Sequence, residues 1–471
     1  ANLWTGSLSN TNYVFDAMFT RLIFNYDSKY VLSGSLRRDR SSKFGPDNRA
    51  GLFYSASGAW NITEESWMKP LTWLSLAKVR ASYGVTGNDQ IGSNYAWIST
   101  IKTDHNVVFG TSSIPSYYPG GYSNRELGWE KNKQYDLGID LAFFNRINLN
   151  VDLYKRTSDI VMPANIPNFN GIASSVYMNS GQVENKGIEL SLNAKVLQGA
   201  FNWETTLNWS MNKNKILSLA NNQTQLANGK AGTKWGNVIR NIVGRPMGDM
   251  YMLKVIGTYN TEEDLQKYPK FGTEGIGDLI FEDTNGDKVV NANDYQHVGN
   301  YQPDFTYGWN NKFSYKNFDL AVTIDGQVGG KVIYAAARAF SLNRWDDNVL
   351  KESGLGRWQS PENPGNGKSH KAGTNNLGSN IQPSTRYLYD ADFLRIRNVA
   401  LGYTLPTQIC RYIGLQRVRF SANVQNLVTF DKYPGYSVEA NYNGNSATNN
   451  GVDFGGYPIA RVMTFGINAT F

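Results

Sequence analysis

The chain has 471 residues, 13% of them aromatic and 18% charged, with a formal net charge of +7. Its one cysteine excludes an internal disulfide or a cysteine zinc site, and its three histidines, His105, His297 and His370, are too scattered for a histidine cluster. The longest purely apolar run, 332–337, is far short of the about 20 residues a membrane helix needs, and the single basic cluster Arg37, Arg38 and Arg40 makes no stripe for nucleic acid.

Apolar and polar residues alternate with a period of two along most of the chain. That places successive side chains on opposite faces of a strand. The pattern predicts strands over 16–26, 29–40, 50–60, 73–85, 132–145, 147–157, 186–197, 200–212, 304–316, 317–329, 391–404, 416–430 and 459–471. In the sixth, Ile147, Leu149, Val151 and Leu153 alternate with Asn148, Asn150 and Asp152. In the last, Met463, Phe465, Ile467, Ala469 and Phe471 share one face. Typical globular strands have about 5–6 residues. Spans this long suit an outer-membrane barrel, whose tilted strands need about 9–11. The fold class is therefore all-β, a transmembrane antiparallel barrel.

The connections alternate too. Asp27-Ser28, Asn145-Arg146, Gln198-Gly199 and Lys316-Asn317 are tight turns; 86–131, 158–185, 213–303, 330–390 and 431–458 are long. Outer-membrane barrels have short periplasmic turns and long external loops. With that polarity the strand over 200–212 runs outward and that over 304–316 inward. The apolar segment 250–257 is then no lone wall strand: it belongs to an external excursion, or to a wall pair. The wall count is odd, whereas bacterial barrels close with an even number. The chain is thus expected to be part of a larger barrel. Trp60 and Trp73 flank a short turn, where an aromatic girdle would meet the headgroups; the alternative is a soluble core.

The sharpest chemical motif is 283–294. Asp283, Asn285, Asp287, the carbonyl of Val289, Asn291 and Asp294 fall at positions 1, 3, 5, 7, 9 and 12 of a calcium loop. Position 6 is Lys288 instead of glycine, and position 12 is Asp instead of Glu. Two readings stand: a calcium site, or a turn rich in Asn, Asp and Gly that needs no metal. Among the loop aromatics, Trp97, Trp235 and the segment with Arg344 and Trp345 are candidates for stacking on a substrate; packing of loop on loop is the alternative. Arg37, Arg38 and Arg40 would attract acidic ligands or pair with lumen carboxylates. Cys410 reads as an inert thiol. No nucleophile elbow or phosphate-cradling loop is present, so the sequence does not read as an enzyme.

Several segments resemble the SusC/RagA family of TonB-dependent outer-membrane transporters. They include Val79-Arg80-Ala81-Ser82-Tyr83-Gly84-Val85-Thr86-Gly87-Asn88, Arg40-Ser41-Ser42-Lys43-Phe44-Gly45 and Gly51-Leu52-Phe53-Tyr54-Ser55-Ala56-Ser57. Further along come Val183-Glu184-Asn185-Lys186-Gly187-Ile188-Glu189-Leu190, Phe393-Leu394-Arg395-Ile396-Arg397-Asn398, Asn426-Leu427-Val428-Thr429-Phe430, Tyr457-Pro458 and Phe465-Gly466-Ile467-Asn468-Ala469-Thr470-Phe471. The resemblance implies a plugged barrel of about 22 strands. Residues 1–471 would be its C-terminal portion, with the plug and the N-terminal barrel segment outside this chain. It implies a SusD-like surface lipoprotein as lid, energy from the TonB complex through the plug, and import of oligosaccharides or peptides. The setting would be the outer-membrane lipid of a Bacteroidetes-like cell. Phe471 resembles the C-terminal aromatic signal of barrel assembly. The rival readings are a passive porin and a secreted β-rich carbohydrate-binding protein.

Overall fold

A computed structural model of the chain describes residues 11–99, 101–166, 175–231, 235–341, 348–373, 377–444, 446 and 448–471. Thirteen long strands form one sheet in which each lies beside its neighbours in sequence. They are β1 (Phe15–Tyr26), β2 (Tyr30–Ser41), β3 (Ala50–Asn61), β4 (Leu74–Asn88), β5 (Glu130–Phe143), β6 (Ile147–Asn165) and β7 (Ser175–Leu197). The remainder are β8 (Phe201–Ser218), β9 (Phe305–Tyr315), β10 (Phe318–Val328), β11 (Phe393–Thr404), β12 (Arg417–Asp431) and β13 (Val462–Thr470). Every strand expected from the alternation is present.

Several boundaries depart from expectation, among them the end of β8, which runs on to Ser218 instead of stopping at 212. The connection expected over 158–185 is mostly strand, because β6 runs on to Asn165 and β7 begins at Ser175. Backbone ladder bonds need no apolar face. At about 3.3 Å per residue, β7 is long enough to run far beyond a hydrocarbon core of about 30 Å, so much of it has no lipid to match and loses the alternation. The β5–β6 turn sits one residue earlier than expected: Phe144 and Asn145 take the left-handed conformation (φ 55° and 54°). Asp27 and Ser28 do the same in the β1–β2 turn (φ 51° and 56°). Two successive left-handed residues give the hairpin turn whose twist matches that of its strands.

The chain forms two compact units, one of residues 1–189 and 214–224, the other of 190–213 and 225–471. In the first, the cross-strand pairs Leu36↔Tyr54, Tyr83↔Tyr135 and Leu137↔Leu153 lie on an apolar face. Ser35↔Ser55, Arg80↔Gly138 and Asp140↔Asn150 lie on the polar one. Its buried cluster is Phe44, Phe53, Val85, Ala96, Leu127 and Trp129.

In the second unit Phe318↔Tyr403, Leu320↔Leu401 and Phe420↔Ile467 make the apolar face. Its core lies elsewhere, in the long connections. Strands Gln225–Ala231, Trp235–Ile242, Asp249–Met252 and Gln296–Asn300 form one small sheet, and Val255–Thr258 pairs with Leu279–Phe281. Lys331–Tyr334 lies between Leu388–Asp390 and Val452–Asp453. These sheets enclose Trp235, Met250, Ile333, Tyr387 and Val452. Segment 250–257 thus lies outside the thirteen-strand sheet. It is two short strands, because the chain leaves one sheet at Leu253, whose N–H donates to Pro383 O at 3.1 Å, and enters another.

Candidate functional site

The polar wall face is organised by charge pairs. In the first unit Arg37 Nε donates to Asp39 at 2.7 and 2.8 Å. Arg80 reaches Asp140 at 3.2 Å and Asp152 at 2.6 Å, and Lys78 stands 3.5 Å from Asp140. In the second, Arg395 is held between Asp325 and Glu439, both at 2.7 Å, and Arg397 shares that Asp325 at 2.7 Å. Arg419 pairs with Asp319. Of the early basic cluster, Arg37 is taken by Asp39 and Arg40 stands 4.0 Å from Asp16. Only the Arg37 pair lies on the polar face; Arg40 and Asp16 lie on the face of Leu36 and Tyr54.

The two described tryptophan candidates are inside the loops. Trp235 is 4% exposed, lies against Tyr387 with ring centres 4.8 Å apart and planes tilted by 51°, and donates its indole N–H to Ile381 O at 3.1 Å. Trp97 is half-buried, packs against the Phe44 and Trp129 cluster, donates to Ser42 O at 3.2 Å and lies under the Arg49 guanidinium at 5.3 Å. Trp235 is thus taken up by loop packing, whereas Trp97 keeps part of its ring exposed. Arg344 and Trp345 lie outside the described residues. Phe471 follows β13 and is 85% exposed, on the apolar side with Phe465 and Ile467. Cys410 is buried, its thiol 3.8 Å from Leu405 O.

The 283–294 segment is a turn closed by its own amides. Asp283 accepts from the N–H of Gly286 at 2.7 Å and of Lys288 at 2.9 Å. Asp287 accepts from Val289 N–H at 2.9 Å, and Asn285 Oδ1 from Asp287 N–H at 2.9 Å. Lys288, where a calcium loop has glycine, takes a left-handed φ of 65°. Asp294 is buried and caps the short helix Ala292–Asp294 by accepting from Asn291 N–H at 2.8 Å; it also accepts from Thr284 N–H at 2.9 Å. Burial, the largest single influence, pushes its pKa up. The amides of Asn291, Thr284 and Asn285 and the Thr284 hydroxyl together outweigh it and hold the carboxyl below its ordinary value. Asn291 accepts from Asn293 N–H at 2.8 Å, and Val289 O receives the Asn291 amide at 3.4 Å. Among the described residues no group of three or more His, Cys, Asp or Glu side chains could hold a metal.

Among the described residues, three clefts could take a ligand. In the first unit, one of about 420 Å³ is lined by Asn48, Glu126, Trp129, Lys131, Asp159 and Gln182. Another, of about 500 Å³, is lined by Arg37, Asp39, Phe53, Tyr54, Asn88 and Asp89. In the second unit, one of about 310 Å³ is lined by Lys331, Glu352, Lys368, Arg386, Asp390 and Lys432. All three fall within or near the range of ligand pockets, roughly 300–1,000 Å³. The sequence reading did not single out Arg386 or Lys432: they stand in no motif, and only the folded connections bring them together.

With this geometry in view, known proteins align along nearly the whole chain. The family profile described as TonB dependent receptor-like, beta-barrel matches residues 2–427. TonB-dependent receptor P3 of Formosa agariphila is 34% identical over 97% of this chain and 45% of its own length. TonB-dependent receptor SusC of Bacteroides thetaiotaomicron is 28% identical over 96% of this chain and 43% of its own. The chain thus spans a little under half the length of these curated relatives. Among solved structures, that of the RagAB peptide transporter superposes with a TM-score of 0.78 at 23% identity, covering 98% of this chain and 47% of that one. At that identity the likeness speaks to the fold.

Proposed function

Because the chain belongs to the TonB-dependent receptor-like β-barrel family, we propose that it forms part of a TonB-energised importer of the outer membrane. The observation that carries this is the match of that profile across 2–427 to a wall whose strands are apolar on one face and charge-paired on the other. In this reading the apolar face meets lipid, and the closed ladder satisfies backbone groups that lipid leaves unpaired. The polar face meets plug and cargo. A SusD-like surface lipoprotein covers the long connections, as the SusC and RagAB likenesses favour. Cargo is an oligosaccharide or a peptide; the solved RagAB structures are of a peptide transporter. The plug and the remaining wall strands are supplied from outside residues 1–471.

The test is uptake of fluorescent oligosaccharides and peptides by cells expressing the whole protein, with and without TonB. Import predicts accumulation that disappears when TonB is deleted. Accumulation that persists without TonB would instead mark a passive pore. We further propose that Phe471 serves barrel assembly. Phe471→Ala should lower the amount of folded protein in the outer membrane several-fold while transcript levels stay constant; equal amounts would reject that role.

A further inference from the structure

We propose that the cleft between the long connections of the second unit binds a carboxylate group of the cargo, an inference that rests on the import reading above. Arg386 is 7% exposed and lines this cleft. Its guanidinium has no carboxylate partner among the described residues: one Nη lies 2.8 Å from His370 Nδ1, and the other donates to Ser341 O at 2.7 Å. No described carboxylate stands within ion-pairing distance of it, whereas the other arginine of this unit buried as deeply, Arg395 at 3% exposed, is ion-paired. Arg395 has both Asp325 and Glu439. A cation withdrawn from water without a counter-charge is costly, so the site is built to be completed by an anion.

Three further observations agree. Ser341, 2% exposed, also lines the cleft, and its hydroxyl has no hydrogen-bond partner among the described residues. Lys368 and Lys432 line the same cleft, are exposed, and form no ion pair with a described residue. Lys331 is already neutralised by Asp390. Among the described residues, Glu352 is the one acid of the cleft without an ion pair, against Arg386, Lys368 and Lys432. The donors are an arginine fork suited to a planar carboxylate, a buried hydroxyl, and two mobile ammonium groups at the mouth. An acidic sugar and an acidic peptide both carry such a group.

The experiment is calorimetric titration of the whole transporter in detergent with trigalacturonate and triglutamate, against maltotriose and triglutamine as uncharged counterparts. One acidic trimer should bind at least tenfold more tightly than its counterpart, and which one does so identifies the cargo as glycan or peptide. Arg386→Gln should abolish the preference. Because Arg386 is buried and its loss can disturb the loops, the exposed double variant Lys368→Gln/Lys432→Gln decides the matter. It should cut the preference at least threefold with no change in melting temperature. Equal binding of acidic and neutral trimers, no binding of any, or an unchanged preference in the double variant would overturn the carboxylate site. TonB-dependent uptake of neutral cargo would leave the import reading standing in that event. Acidic preference without any TonB-dependent uptake would do the reverse.

Discussion

The wall and the long connections of the second unit put their apolar residues in opposite places. In the wall, Phe318, Leu401, Phe420 and Phe465 stand exposed, while Asp325 and Arg395 pair on the other face. In the connections, Trp235, Met250, Ile333 and Tyr387 are buried beneath polar turns. One chain thus follows two solvents. The connections are held by removing apolar surface from water. The wall gains nothing comparable from lipid, and its order rests on ladder bonds that have no competitor in hydrocarbon. Substitutions that respect or violate this division should therefore behave differently in the two regions.

The largest effect should come from Trp235→Ala, which opens a cavity in the loop core and orphans Ile381 O. Such truncations cost about 3–5 kcal/mol. Limited proteolysis should then cut the long connections while the wall stays protected; simultaneous loss of both would show that the two regions are not separable. Next is Leu401→Arg. On a water-exposed surface such a change stays within about 0.5 kcal/mol; on a lipid face it costs about 2–4 kcal/mol near the bilayer midplane. Urea unfolding in lipid vesicles distinguishes the two.

Smaller effects concern the 283–294 turn. The Asp294 carboxyl is held below its ordinary value in the folded chain. Its contribution is therefore complete above the unfolded value, about 3.9, and is lost as pH falls through the lower folded value. Loop protection should be flat from pH 7 to 5 and decline below 4, and Asp294→Asn should flatten that decline. Last, because the turn is closed by its own amides, chelating calcium should leave its melting temperature unchanged. A drop on chelation, restored by calcium, would favour the metal reading of Asp283, Asn285, Asp287 and Asp294.

The wall was legible because lipid on one side and polar contents on the other force a period of two, strand after strand. Where that contrast ends, so does the signal, and the outer reaches of β6 and β7 were missed. The short loop strands escaped for a related reason. Ile333 and Val332 are both buried, as are Met250 and Met252 with Asp249 beside them, so no alternation marks them. Trp235 looked available for stacking because a tryptophan in a loop carries no sign of what covers it. Arg386, Ser341 and Lys432 drew no notice because their meaning is tertiary. A lone arginine becomes informative once it is buried with no described carboxylate beside it.

The most direct test places nitroxide labels at two positions of the whole protein in liposomes. One replaces Leu137, 46% exposed on the apolar wall face; the other replaces Tyr117, 76% exposed in the strand Ser112–Pro119 of a long connection. The account predicts that the label at 137 relaxes with lipid-dissolved oxygen and is shielded from a water-soluble nickel chelate, and that the label at 117 does the opposite. Equal access of the nickel chelate to both would mean that the wall's apolar face does not meet lipid, and the membrane importer would fall with it.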